Sequence, residues 1–424
     1  MLELGFIREN RDEIIERMAV RNLSAEKLID KAIESDKVRR SVQKEMDDLQ
    51  AELNQISKSI GKLFQEGKKE EANALKQRTG ELKDALQPLK EKMSAAEAEL
   101  NDTLYQIPNM PNESVPKGKT DEDNEVVFEE ADLPNLPTNA KPHWELAKEY
   151  NLIDFELGVK ITGAGFPVYR GKGAMLQRAL INYFLDAATK AGYEEVLPPL
   201  VVNEASGYGT GQLPDKEGQM YHIKEDDLYL IPTAEVPITN MLRNVILKET
   251  DFPIKLTGYT PCFRREAGSY GKDVRGLNRL HQFDKVEIVQ AVHPDQSYET
   301  LDVMVEHVKG LLRNLGLPYR VVRLCGGDLG FTSALTYDME VFSAAQQKWL
   351  EVSSISNFES FQANRLKMRF KSGEGKTRLA HTLNGSALAL PRILAALLEN
   401  NQTEDGIRIP EVLRPFTGFD TITK

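Results

Sequence analysis

The sequence predicts an α+β protein: a long antiparallel two-helix arm, then an antiparallel sheet flanked by helices. Three observations carry this. Apolar heptads fill the first hundred residues, a proline-rich acidic stretch follows, and short β-rich runs separated by turns occupy most of the remainder. At 424 residues the chain has room for two or three domains, at roughly one per 150 residues. The boundaries fall at 1–105 for the arm, 106–142 for a linker and 143–424 for the sheet domain.

The arm is helical by its local signs. Apolar residues recur at Val42, Met46, Leu49, Leu53, Ile56, Ile60 and Leu63, and again at Leu75, Thr79, Leu82, Leu86, Leu89, Met93, Ala96 and Leu100. Alternating steps of four and three make the seam of a coiled coil. Between the series lies Gln65-Glu66-Gly67-Lys68-Lys69, a short polar turn with glycine, which joins antiparallel helices. About 40 residues per helix give an arm on the order of 60 Å.

The arm carries 19 basic and 22 acidic residues, yet its tip, residues 58–83, has seven cations against four acids. Those cations include Lys58, Lys62, Lys68, Lys69, Lys76 and Arg78. A solvated coiled-coil face explains them, and so does contact with a phosphate backbone at the end of a lever.

Residues 106–142 hold Pro108, Pro111, Pro116, Pro134, Pro137 and Pro142 with acidic clusters, the composition of an extended linker with one strand at Val126-Val127-Phe128. Beyond it, Ala174–Ala191 has helical periodicity, and Val196–Val202 reads as a strand broken by Pro198-Pro199. Leu228–Ile231, Ile254–Leu256 and Lys285–Val289 are β-rich, whereas 297–315 and Ala387–Glu399 look helical. Strands spaced by turns imply a mainly antiparallel sheet.

Composition narrows the function. With 54 Lys+Arg against 65 Asp+Glu, the net charge of −11 excludes a uniformly basic nucleic-acid coat but not local contacts. Two cysteines, Cys262 and Cys325, are too few for a disulfide framework or a Cys-rich zinc site. No apolar stretch approaches the roughly 18 residues of a membrane span, and the acidic start lacks a secretory pattern, so a cytoplasmic chain with no membrane contact is expected.

Three elements suit chemistry. The glycine clusters Gly207–Gly211, Gly163–Gly165 and Gly171–Gly173 have neither Walker nor Rossmann spacing, so nucleotide binding must use side chains on a sheet. Phe263-Arg264-Arg265-Glu266-Ala267-Gly268 places Arg264 and Glu266 on one face of a strand, where an arginine can hold a phosphate and a glutamate an adenine amino group. A returning strand, Arg279–Glu287, brings Phe283 and Glu287 alongside. Third, Leu383–Arg392 runs from a strand through a Gly385 turn into an apolar helix, with Arg392 about two turns in, a position that demands an anionic partner. Each element alone also suits a structural ion pair or core residue.

Together they resemble the three signature motifs of class II aminoacyl-tRNA synthetases, with the helix and strand ending at Pro199 as the first. Thr233-Ala234-Glu235, Gly209–Pro214, Tyr337–Glu340, Glu351-Val352-Ser353-Ser354 and Phe361–Arg365, with the arm, are similar to seryl-tRNA synthetases of the bacterial type over essentially the whole chain. The resemblance implies a class II sheet fold, ATP with Mg²⁺ and no zinc, serine, tRNA(Ser), and tRNA(Sec) where that tRNA exists. It also implies a homodimer in which one subunit's arm serves the other's active site.

It also implies roles. Thr233, Ala234 and Glu235 would line the serine pocket and hold its ammonium; Glu287 and Ser386 would bond its hydroxyl, with Asn384 nearby. Arg264 would bridge serine carboxylate and α-phosphate. Arg265, Glu266, Leu280 and Phe283 would surround the nucleotide, with Phe283 stacked under adenine. Glu351 and Ser354, with Val352 and Ser353, would hold the metal–phosphate side, and Arg392 the γ-phosphate. His281 and His381 are not expected to be catalysts. The chain departs from the family at Asn364, where a second arginine is common, and at Ser343-Ala344, where Leu-Pro is common. Alternatives are a related synthetase for another amino acid, a carrier-protein ligase, or an RNA-binding scaffold with a decayed domain. Intact Arg264, Glu266, Glu287 and Arg392 argue against decay.

Overall fold

The computed structural model describes all residues except 131, 135, 137, 138, 216, 268–274 and 374. Pro137 and Gly268 therefore lie outside the described residues. The chain forms two compact units, Met1–Ala19 with Leu23–Pro108, and Val20–Asn22 with Asn109–Lys424.

The first unit opens with short helices at Leu4–Glu9 and Arg11–Val20. Then come α1 (Glu26–Gln65) and α2 (Lys69–Leu104), which pack side by side along their length. The apolar seam is where the burial lies: Val42, Leu82, Leu86, Met93, Ala96 and Leu100 are buried, and the residues flanking them are mostly exposed. The helix runs on through Pro88.

The second unit is built on an eight-stranded sheet. Its strands are β1 (Glu125–Glu130), β2 (Glu194–Glu195), β3 (Ile254–Phe263), β4 (Gln282–Val292), β5 (Tyr319–Arg323), β6 (Leu335–Ser343), β7 (Lys348–Glu359) and β8 (His381–Ala389). The spatial order is β1-β5-β6-β7-β8-β4-β3-β2, antiparallel except where β2 meets β3. β1 is the strand expected near Val126–Phe128, and it forms the sheet edge against β5. Upstream, the Asn109 amide is buried and donates to the Thr332 and Phe358 carbonyls at 2.9 Å each, so this part of the proline-rich stretch is docked on the sheet unit.

Helices α3 (Gly171–Lys190), α4 (Glu235–Asn240), α5 (Ser297–Asn314), α6 (Ser360–Leu366) and α7 (Leu390–Asn400) pack around the sheet. Strand alternation separates two faces. Val286, Ile288 and Val292 of β4 join the main core with α3, α5 and α7. Val289 instead packs with Ala234, Ile238 and Leu256 on the face that bears Lys285 and Glu287.

The structure corrects three expectations. Val196–Val202 is not one strand: β2 stops at Glu195, and Val201–Asn203 joins a separate sheet with Leu228–Leu230. Pro198 and Pro199 lack the N–H that a ladder needs. Arg392 is not two turns into its helix, because β8 continues through Gly385 to Ala389 and α7 begins at Leu390. Arg392 therefore lies in the first turn, beside Pro391. An apolar run of this kind suits a buried strand as well as a helix, and pairing with β4 and β7 decides for the strand. Finally, β3 ends at Phe263 and Glu266 has φ +48°, so the alternation assumed for Arg264 and Glu266 does not hold there.

Candidate active site

The centre of the sheet positions the site. In register, Glu287 of β4 stands between Gly258 of β3 and Ser386 of β8. Gly258 has no room for a side chain, since a Cβ would fall 2.7 Å from the Val196 carbonyl oxygen. Thr233-Ala234-Glu235 opens α4 above this lane. Glu287 is 2% exposed, and its Oε2 lies 2.6 Å from Lys285 Nζ and 3.4 Å from Thr233 Oγ1. Lys285 also donates to Thr233 Oγ1 at 2.8 Å.

Glu235 is buried next to them. Burial, and then repulsion from Glu287, push its carboxyl up to about 7; bonds from the Gln362 and Asn384 amides and the charge of Lys285 pull the other way. Gln362 Nε2 donates to Glu235 Oε1 at 2.6 Å and to the Thr210 carbonyl at 3.2 Å, and its Oε1 accepts from Thr382 at 2.8 Å. A carbonyl can only accept, so the amide orientation is fixed.

Next to this pocket, the Arg264 guanidinium sits 5.2 Å from the centre of the Phe283 ring, and its Nε donates to the Pro232 carbonyl at 3.2 Å. The backbone N–H of Arg265 donates to the Gln219 carbonyl at 2.8 Å. Glu266 is paired with Arg279 at 3.0 Å, and Leu280 is in the core.

On the other side of β8, Arg392 Nη1 donates to the Glu351 carbonyl at 2.8 Å and lies 3.5 Å from its Oε2. Val352 and Ser353 are buried, and Ser353 donates to the Ser386 carbonyl. Ser354 faces Asp338 across β6 and β7 and hydrogen-bonds its carboxyl. That carboxyl is held well above the usual range, by burial first and by Glu351 second, and its buried Oδ1 has no partner among the described residues. Two carboxylates and a hydroxyl are hard oxygen donors. They suit Mg²⁺, which takes one or two carboxylates and fills the rest of its shell from phosphates and water.

The two histidines have structural partners. His281 Nδ1 meets the Arg264 carbonyl at 3.0 Å, and His381 Nδ1 meets Ser297 Oγ at 2.9 Å. In the first unit, several tip cations are paired within the arm: Lys62 and Lys68 reach Glu66 at 4.0 and 3.0 Å, and Arg78 reaches Glu52 at 2.9 Å. Lys76 lies over the Phe64 ring, and Lys58 and Lys69 are exposed.

Residues 1–111 match the Seryl-tRNA synthetase N-terminal domain, and residues 220–401 match the tRNA synthetase class II core domain (G, H, P, S and T). The serine–tRNA ligase of Salinibacter ruber is 51% identical over 424 residues, 100% of this chain and 99% of that protein. The chain belongs to the seryl-tRNA synthetase family. The corresponding ligase of Chlorobaculum parvum is 47% identical, with both chains covered in full. The seryl-tRNA synthetase of Pyrococcus horikoshii, solved in complex with ATP, superposes with a TM-score of 0.90 at 34% identity, covering 100% of this chain and 99% of that one. The prolyl-tRNA synthetase of Giardia lamblia, at 16% identity and a TM-score of 0.56 over 64% of this chain and 54% of that one, shares the fold.

For this member of the seryl-tRNA synthetase family, the sequence reading missed Lys285, Gln362, Thr382 and Asp338. One signal was available: Phe283, Lys285 and Glu287 alternate along one strand face. Gln362 meets Thr210 and Glu235 across 152 and 127 residues, which no local pattern reveals, and Asp338 meets Ser354 through the register of two neighbouring strands.

Proposed function

We infer that this chain is a serine–tRNA ligase. It activates serine with ATP, releases pyrophosphate, and transfers the seryl group to the 3′ end of tRNA(Ser). The observation that carries the reading is the buried Glu287 carboxylate, flanked by Thr233 and Ser386 beside Arg264.

Serine enters with its ammonium toward Glu235 and Thr233 and its hydroxyl toward Glu287, Ser386 and Asn384. Arg264 neutralises the serine carboxylate and α-phosphate as the carboxylate oxygen attacks phosphorus. Phe283 and Glu266 hold adenine, with Arg265 and Leu280 beside the nucleotide, and Arg392 holds the γ-phosphate. The step needs alignment and charge neutralisation rather than a general base. Glu351, Asp338 and Ser354, along the Val352-Ser353 strand, would hold Mg²⁺, which when bound neutralises phosphate charge. Serine's hydroxyl adds a bond to the buried Glu287 carboxylate beside that from Lys285, so alanine is disfavoured because it forgoes that bond.

The arm contacts tRNA by backbone and shape through its tip, with exposed Lys58 and Lys69 available at once and Lys62, Lys68, Lys76 and Arg78 once they exchange partners. The chain works as a cytoplasmic homodimer and accepts tRNA(Sec) where that tRNA exists. No helix among the described residues is long and apolar enough to cross a membrane.

The test is ATP–pyrophosphate exchange across all twenty amino acids, without tRNA. Exchange with serine alone is expected. Exchange with another amino acid redirects the substrate, and none at all overturns the reading.

A further inference from the structure

His143 and Glu399 form a fully buried pair that the mechanism does not use. His143 Nε2 accepts the Leu277 backbone N–H at 2.8 Å. A backbone N–H only donates, so the ring proton sits on Nδ1, 2.7 Å from Glu399 Oε1. The same oxygen accepts the His143 backbone N–H at 2.9 Å and Gln346 Nε2 at 3.0 Å, while Oε2 accepts from Ser343. Burial alone would raise this carboxyl; the bonds from His143 and Ser343 hold it below its ordinary range.

The segment gripped by this network returns from the Arg264–Glu266 motif. Gly276 lies so close that a Cβ would fall 2.2 Å from His143 Nε2, and its φ is +66°. Arg275 stacks over Trp144 at 4.7 Å. The Asn278 amide donates to Gln346 Oε1 at 2.9 Å, and the Asn278 carbonyl accepts from Arg392 Nε at 3.0 Å. Glu399 and Arg392 are both on α7, so the helix grips this segment at two points. Packing alone does not call for a buried carboxylate with four donors, because burying a charge is costly unless it is fully bonded.

We propose that His143 and Glu399 are positioning residues: they hold Leu277 and Asn278 so that the Asn278 carbonyl aims the Arg392 guanidinium at the ATP phosphates. This rests on the reading of Arg392 as a phosphate ligand. The assay is ATP–pyrophosphate exchange with serine, in the full chain, for His143→Asn and Gln346→Ala, each alone and combined with Arg392→Ala. His143→Asn is expected to raise the KM for ATP about tenfold, the weight of one lost charge-assisted hydrogen bond, with the KM for serine unchanged within about twofold. Gln346 is half-buried, so Gln346→Ala carries the test if His143→Asn fails to fold; about a threefold rise is expected. In the Arg392→Ala background both effects should shrink below about twofold, as residues acting through one group do.

Equal rises in both KM values, or an undiminished effect without Arg392, overturn the proposal while leaving the Arg392 reading intact. An unchanged KM for ATP in Arg392→Ala alone overturns the Arg392 reading, and the proposal with it.

Discussion

Acidifying the assay should weaken serine binding through one group, Glu235. Its carboxyl is pushed up to about 7, by burial first and by Glu287 second. The charged and polar groups facing it are Glu287 and Lys285 from β4, Gln362 from α6 and Asn384 from β8, and none of them is a histidine. Below this value Glu235 is protonated and neutral, and it offers no charge to the serine ammonium. The ionised fraction falls from about nine-tenths at pH 8 to about one-tenth at pH 6, so the apparent KM for serine should rise about tenfold over that interval. Pyrophosphate exchange at saturating ATP reads this directly. Glu235→Gln should give a high KM that is flat with pH. A flat profile in the unmodified protein, or a slope that survives in Glu235→Gln, refutes the reasoning. The same shift has a stability consequence. The folded carboxyl titrates above its ordinary 4.5, so the native state loses stability as pH rises from there toward 7, by about 3 kcal/mol in all. Glu235→Gln should therefore gain on the unmodified protein at pH 8 and not at pH 4.

Three further outcomes are expected. Lys285→Met strands Glu287 as an unpaired buried charge and should destabilise the sheet unit by about 3–5 kcal/mol in urea unfolding at pH 7; a loss under about 1 kcal/mol would show the pair to be dispensable. Glu287→Ala should lose serine activation and discrimination against alanine together, and an unchanged kcat/KM for serine would sink its assignment to the hydroxyl. Deleting roughly residues 30–100 should abolish aminoacylation of tRNA yet leave pyrophosphate exchange in place; an equal fall in both would make the arm a folding element.

Much of the architecture was legible because it is local. A coiled-coil seam repeats within one helix, so Val42 to Leu63 and Leu75 to Leu100 announced the arm without help from any partner. Strand signals at Leu228, Ile254 and Lys285 had the same origin. The site was half legible: a polar residue at a motif position can be named from its neighbours, but its partners cannot. Lys285, between Phe283 and Glu287, was visible in principle as a member of one strand face. Gln362 was not, since its orientation depends on Thr210 and Thr382, 152 and 20 residues away. At the tip of the arm a net count of charges does not say which cations are held within the arm; Glu66 holds Lys68 and Glu52 holds Arg78.

Periodicity, turn chemistry and motif spacing act over a few residues, and they were enough to predict the arm and the antiparallel sheet, while the roles proposed around Glu287 came from the family resemblance. Tertiary contact decided the rest. Leu383–Ala389 is a strand because β4 and β7 bond it from both sides, and that places Arg392 at the start of its helix instead of within it. Glu235 titrates near neutrality because elements distant in the chain bury it beside Glu287. Burial and charge proximity are sums over the folded molecule, and no window along the chain contains them.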